Sequence, residues 1–148
     1  YAIGDVNGRC MLEHAATMQG IHVVNILLGM QDEIEFGIMP SAIFTMPEAG
    51  CVGVSEDQCK EQGLDYVCRK AYYRANGKAL AMNGTEGMLK LLADSQTGRI
   101  LGCHIFGAHA ADIEQEVSSL MCRQTTLQQL HDMIHIHPTL GEILHDIR

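Results

Sequence analysis

Apolar positions follow one rhythm up to Pro40 and another beyond it. Tyr1–Gly4 (YAIG) is a short apolar run ending in Gly-Asp, the pattern of a buried strand that delivers a turn. Met11, Leu12, Ala15, Ala16 and Met18 then recur at three- and four-residue steps, which predicts a helix from about Arg9 to Leu28. Gly20 and the β-branched cluster between Ile21 and Ile26 weaken that helix. Polar Gln31–Glu35, then Gly37 and Pro40, read as a linker. The expected division is residues 1–36 and residues 37–148.

Beyond Pro40 short apolar runs alternate with turn signals. Ser41–Thr45 and Cys51–Val54 read as strands, and Ser55-Glu56-Asp57 opens a helix that stops at Gly63. Tyr66–Ala75 alternates as a strand, and Asn76-Gly77 and Asn83-Gly84 mark turns. Met88–Ala93 and Arg99–Phe106 are strands around the hairpin loop DSQTG. Ala110, Ile113, Val117, Leu120 and Met121 give helical spacing from His109 to Cys122. Thr126–Ile134 and Thr139–Ile147 read as two further helical stretches, separated by Pro138. Strands, helix, strands, then helices make an α+β fold, an antiparallel sheet covered by helices.

Composition narrows the function. Charged residues are 19% and hydrophobic residues 47%, a globular balance. A net charge of −8 with no Lys/Arg run argues against a nucleic-acid groove or an anionic membrane surface. No apolar run approaches the ~18 residues of a membrane-spanning helix. No signal peptide is visible, and the first residue is Tyr where an initiator Met would stand, as in a piece of a longer protein. The six cysteines are dispersed without a C-x-x-C pair, so the expectation is reduced thiols, most of them buried, in a cytosol-like compartment.

The densest chemistry lies in HIHPTLGE, His135–Glu142. His131 and His135 would share a helical face, but a zinc site needs a third or fourth ligand and none is spaced for it, so no metal is expected. Thr139-Leu140-Gly141-Glu142 fits a T-x-x-E capping box, which explains Pro138, Thr139 and Glu142 without His137. The functional alternative is an imidazole–carboxylate pair of His137 and Glu142, if Pro138 turns the chain back. Tyr1–Asp5 could likewise present a carboxylate to a ribose-like hydroxyl beside a helix N-terminus, although Gly-Asp ends many strands for local reasons.

Taken in order, YAIGDVNGRCMLEHAATMQG, SAIFTMPEAGCVGVSE and HIHPTLGE resemble the flavin-dependent pyridine nucleotide–disulfide oxidoreductases, within them the dihydrolipoamide dehydrogenases. The resemblance spans the whole chain and implies a tail of the FAD domain followed by a dimerisation domain. It implies that Asp5 binds the ribityl chain of FAD and that Met11, Leu12, Glu13 and His14 lie along the flavin. Glu13 stands where the family usually has Ala. Thr45, Pro47, Glu48, Val52 and Gly53 match the opening of the dimerisation domain. His137 and Glu142 match the catalytic pair, which in the family serves the disulfide of the partner subunit.

The family's N-terminal G-x-G-x-x-G fingerprint and redox-active C-x4-C pair do not occur here. The resemblance therefore implies a homodimer-forming portion, inactive alone and without appreciable FAD binding. The whole enzyme would use FAD and NAD to oxidise dihydrolipoamide, in the cytoplasm or a mitochondrial matrix, with 2-oxo-acid dehydrogenase subunits as further partners. A glutathione-reductase-like disulfide reductase, or a module acting only in dimerisation, stays open. The leading strand, Tyr1–Gly4, is expected to have lost its sheet neighbours.

Overall fold

The structure, a computed structural model, describes residues 1–147. The chain forms two compact units, Tyr1–Met39 and a second from Pro40 onward, against the expected break after residue 36.

In the first unit the expected strand at Tyr1–Gly4 does not form. Ile3 has an extended backbone, but the next residues, Gly4–Asn7, turn into a 3-10 helix. The amide of Gly4 donates to Gln19 Oε1 at 2.8 Å, where a strand would have donated to a neighbour. Extended backbone becomes a strand only when a second strand takes its hydrogen bonds. Helix α1, Glu13–Leu27, starts later than expected and runs through Gly20. Its packing anchor is Ala15, which is fully buried. Beyond the helix, Asp32 accepts from the His22 ring at 2.9 Å and from Asn25 at 3.0 Å, tying the returning segment to α1.

The second unit is a five-stranded antiparallel sheet in the order β1-β2-β5-β4-β3, with β1 Ser41–Ile43, β2 Glu48–Gly53, β3 Tyr66–Tyr72, β4 Gly87–Asp94 and β5 Ile100–Gly107. Helix α2, Glu56–Gln62, carries the chain from β2 to the far edge. Two antiparallel steps then bring β5 back beside β2. Ser55 caps α2 by accepting from the Gln58 amide, and left-handed Gly63 ends it, as the sequence predicts. Asn76-Gly77 is not a simple turn: Asn76 caps a short helix α3, Gly77–Ala81.

Helix α4, Ala110–Cys122, lies across β2 and β5 with Ile113, Val117 and Met121 inward. Beneath it runs a cross-strand row, Gly50–Ile105–Leu89–Ala71. A Cβ at Gly50 would press on Glu114 Cβ at 3.2 Å, so glycine lets the helix approach the sheet. Leu89, Leu91 and Leu92 of β4 are fully buried, each worth roughly 1.5–3 kcal/mol of transfer free energy. Tyr73 is also fully buried, with its ring over Gly107 and its hydroxyl donating to Ala108 O at 2.8 Å. His109 gives α4 no side-chain cap; Glu48 Oε2 accepts the Ala111 amide instead, at 3.1 Å, from β2.

Of the six cysteines, all free, only Cys59 and Cys103 are buried, while Cys51 and Cys122 are exposed. The expectation of mostly buried thiols fails: Cys51 stands on a strand whose alternate positions face opposite sides of the sheet, and Cys122 ends α4. No helix among the described residues is long and apolar enough to cross a membrane.

Candidate active site

The HIHPTLGE segment connects α5, Leu127–His131, to a 3-10 helix at Leu140–Leu144. Both are shorter than expected, and the segment from Asp132 to Thr139 is an irregular strap. Apolar residues point out of it: Ile134 is wholly exposed and Ile136 is 79% exposed. Helical spacing had grouped His131 with His135, but α5 ends at His131, so the two share no helical face. Among the described residues no group of three or more His, Cys, Asp or Glu is placed to hold a metal ion.

The His137–Pro138 bond is cis, and the ring of His137 turns back onto Glu142, with Nδ1 2.9 Å from Oε1. The other oxygen, Oε2, accepts the Thr139 amide at 2.9 Å. A single carboxylate thus closes the capping box and pairs with the imidazole. The Thr139 N–H, and after it the His137 ring, hold the Glu142 carboxyl below the usual carboxylate range. A carboxylate only accepts, so Nδ1 carries the proton of the neutral ring and Nε2 keeps its lone pair. The His137 side chain is 79% exposed, so the ring is open to solvent.

Three groups support the strap that sequence reading did not assign to the site. Buried Asn76 caps α3 with Oδ1 and donates from Nδ2 to Thr139 O at 3.2 Å. Thr139 Oγ1 donates to Ile136 O at 2.7 Å. His135 Nε2 lies 3.1 Å from Glu116 Oε1 on α4. An N-cap signal at Asn76 was readable, but Glu116 belongs to no motif and meets His135 only through the fold. His131 and His145 stack with centroids 5.0 Å apart, and with His135, His137, Glu142 and Asn76 they line a cleft of about 530 Å³.

The other expected site residues lie in the first unit. Asp5 is exposed in the 3-10 turn, and Met11 is 74% exposed just before α1. Leu12 is the N-cap of α1 and offers no side-chain cap; Glu13 opens the helix and accepts from Thr17 Oγ1 at 2.9 Å; His14 is exposed in the first turn.

Comparison with known proteins gives the family and the fold. Residues 39–148 match the dimerisation domain of the pyridine nucleotide-disulphide oxidoreductases. The chain is 41% identical to dihydrolipoyl dehydrogenase 2, chloroplastic, of Arabidopsis thaliana, over 99% of this chain and 27% of that protein. It is 39% identical to dihydrolipoyl dehydrogenase of Bacillus subtilis, over 97% of this chain and 30% of that protein. Among solved structures it overlays the HOCl-induced flavoprotein disulfide reductase RclA from Escherichia coli with a TM-score of 0.90 at 28% identity, covering 99% of this chain and 34% of that one. LpdA from Mycobacterium tuberculosis overlays with a TM-score of 0.92 at 22% identity, a likeness of fold, over 99% of this chain and 32% of that one. The chain thus spans about 30% of the length of these curated relatives. With the family's domain matched over residues 39–148, the chain belongs to the pyridine nucleotide-disulphide oxidoreductases and carries their dimerisation domain.

Proposed function

We propose that this chain is the dimerisation portion of a flavoprotein disulfide oxidoreductase, a dihydrolipoamide dehydrogenase, in which His137 is the general base and Glu142 its orienting partner. The observation that carries the reading is an exposed imidazole held at Nδ1, 2.9 Å from Glu142. An exposed base needs a second molecule to complete its site, which a homodimer supplies. His137 Nε2 takes the proton of one dihydrolipoamide thiol, and the thiolate opens the partner subunit's disulfide to a mixed disulfide and a free thiolate. The second substrate thiol displaces the bound sulfur to close the lipoamide disulfide and leave the partner's pair reduced. Glu142 keeps the ring in the productive tautomer and stabilises the imidazolium that forms.

In this reading two thiols become a disulfide and two electrons pass on to NAD. When bound, FAD supplies the group that carries those electrons. Asp5, Met11, Leu12, Glu13 and His14 would hold one end of it: Asp5 offers an exposed carboxylate, and α1 starts without a side-chain cap. No residue here is assigned to NAD. Alone, the 148 residues hold no partner disulfide pair of C-x4-C spacing and are expected to be inactive. The whole enzyme would act in the cytoplasm or a mitochondrial matrix, where 2-oxo-acid dehydrogenase complexes would draw on it.

The test is turnover of the full-length protein with dihydrolipoamide and NAD. Absence of NAD reduction with dihydrolipoamide, alongside reduction of another disulfide, would replace this reading with a glutathione-reductase-like one. Sedimentation of the 148-residue chain tests the dimer; a monomer at high concentration counts against it.

A further inference from the structure

We propose that Glu116 and His135 form a second imidazole–carboxylate pair whose task is to position His137, which makes both of them positioning residues. This rests on His137 being the base. Beyond Met133 the strap between α5 and the last 3-10 helix has no ladder or helix hydrogen bonds among the described residues. Its exposed members, Ile134, Ile136 and His137, gain nothing from burial against their own chain. His135 is the exception, with a side chain only 9% exposed, seated between outward-pointing neighbours. Its Nε2 meets Glu116 Oε1 at 3.1 Å, which fastens the strap to α4, an element packed on the core of the sheet.

The tautomer follows from the partners. Glu116 as a carboxylate only accepts, so Nε2 of His135 carries the proton. Nδ1 of His135 is buried and has no hydrogen-bond partner among the described residues. The ring therefore has one bond to make, and Glu116 is the group that takes it. Two residues on, His137 uses its opposite nitrogen, Nδ1, on its own carboxylate. A Cβ at Gly141 would lie 4.0 Å from His135 Cδ2, so the ring lies close to the turn that carries Glu142. Releasing His135 frees both sides of the His137–Glu142 pair at once, whereas a purely local role for His135 would leave His137 unchanged.

The experiment is long-range proton–nitrogen NMR of the histidine rings in the 148-residue chain, with variants Glu116→Ala, Glu116→Gln and His135→Ala. In the unaltered chain the ring nitrogens of His137 should report a single Nδ1–H tautomer. Glu116→Ala and His135→Ala should average the two His137 nitrogens. Glu116→Gln, whose amide oxygen still accepts from His135, should restore the single tautomer. Glu116 is 42% exposed, so its truncation leaves the core intact, and His135→Ala reads the clamp from its other side. An unchanged His137 spectrum in both alanine variants, with the sheet amides in place, overturns the proposal. So does a His137 already averaged before any substitution. A locked His137 in a full-length protein that does not turn over dihydrolipoamide supports the clamp and sinks the catalytic reading alone.

Discussion

Glu142 divides its two oxygens between two partners: Oε1 lies 2.9 Å from His137 Nδ1, and Oε2 accepts the Thr139 amide at 2.9 Å. The backbone bond fixes the carboxylate, and the carboxylate fixes the ring. The helix start and the imidazole pair are therefore one structure. Substitution of Glu142 should disturb both together.

The acid limb of stability follows from this. The folded carboxyl of Glu142 sits below its ordinary value, first because of Thr139 and then because of His137. A depressed carboxyl contributes stability above its unfolded pKa and loses it as pH falls through the folded one. Urea unfolding of Glu142→Gln should differ from the unaltered chain above about pH 5 and converge with it in stronger acid. A gap that widens toward acid would contradict the assigned partners.

Turnover should be more sensitive than stability. In the full-length oxidoreductase, His137→Gln should lower kcat by on the order of 10²–10⁴-fold, the range of a lost general base. The exposed ring has little to do with the core, so the melting temperature should stay nearly constant. Equal turnover by the variant would remove His137 from the chemistry.

Glu114 has the opposite sign from Glu142. It is 2% exposed on the inner face of α4, Oε1 has no hydrogen-bond partner among the described residues, and burial pushes its carboxyl up to about 7. Between the ordinary 4.5 and about 7 the folded state keeps a proton that the unfolded state releases, so stability falls as pH rises through that window. Glu114→Leu should add roughly 2–3 kcal/mol at pH 8 and far less at pH 4. Denaturant midpoints at the two pH values measure this; an equal gain at both assigns the effect to packing.

Asn76 offers a test of the strap's other anchor. Asn76→Ala removes the cap of α3 and the bond to Thr139 O. A loss of about 1–3 kcal/mol is expected, read from denaturant midpoints. Asn76→Asp keeps the cap acceptor but not the donor, so it should lose only part of that sum. If Asp and Ala cost the same, the bond to Thr139 contributes most of the effect.

Much of this protein is local, and local features are readable in order along the chain. Ser55 with Gln58, Thr126 with Gln129, and left-handed Gly63 mark their helix ends because a cap needs only neighbours within one turn. The apolar runs of β4 and β5 around the DSQTG loop and the helical spacing of Ile113, Val117 and Met121 disclosed the antiparallel α+β sheet for the same reason. His137, Thr139 and Glu142 lie within six consecutive residues, so their possible pairing could be written down from spacing. The fold decided what spacing left open. Tyr1–Gly4 carries strand residues, yet a strand needs a neighbour to take its hydrogen bonds, and none lies there among the described residues. The placement of β5 between β2 and β4, the capping of α4 by Glu48 and the meeting of His135 with Glu116 join residues far apart in the chain. Such contacts depend on how burial of the whole sheet face brings elements together, and no short window of sequence contains that information.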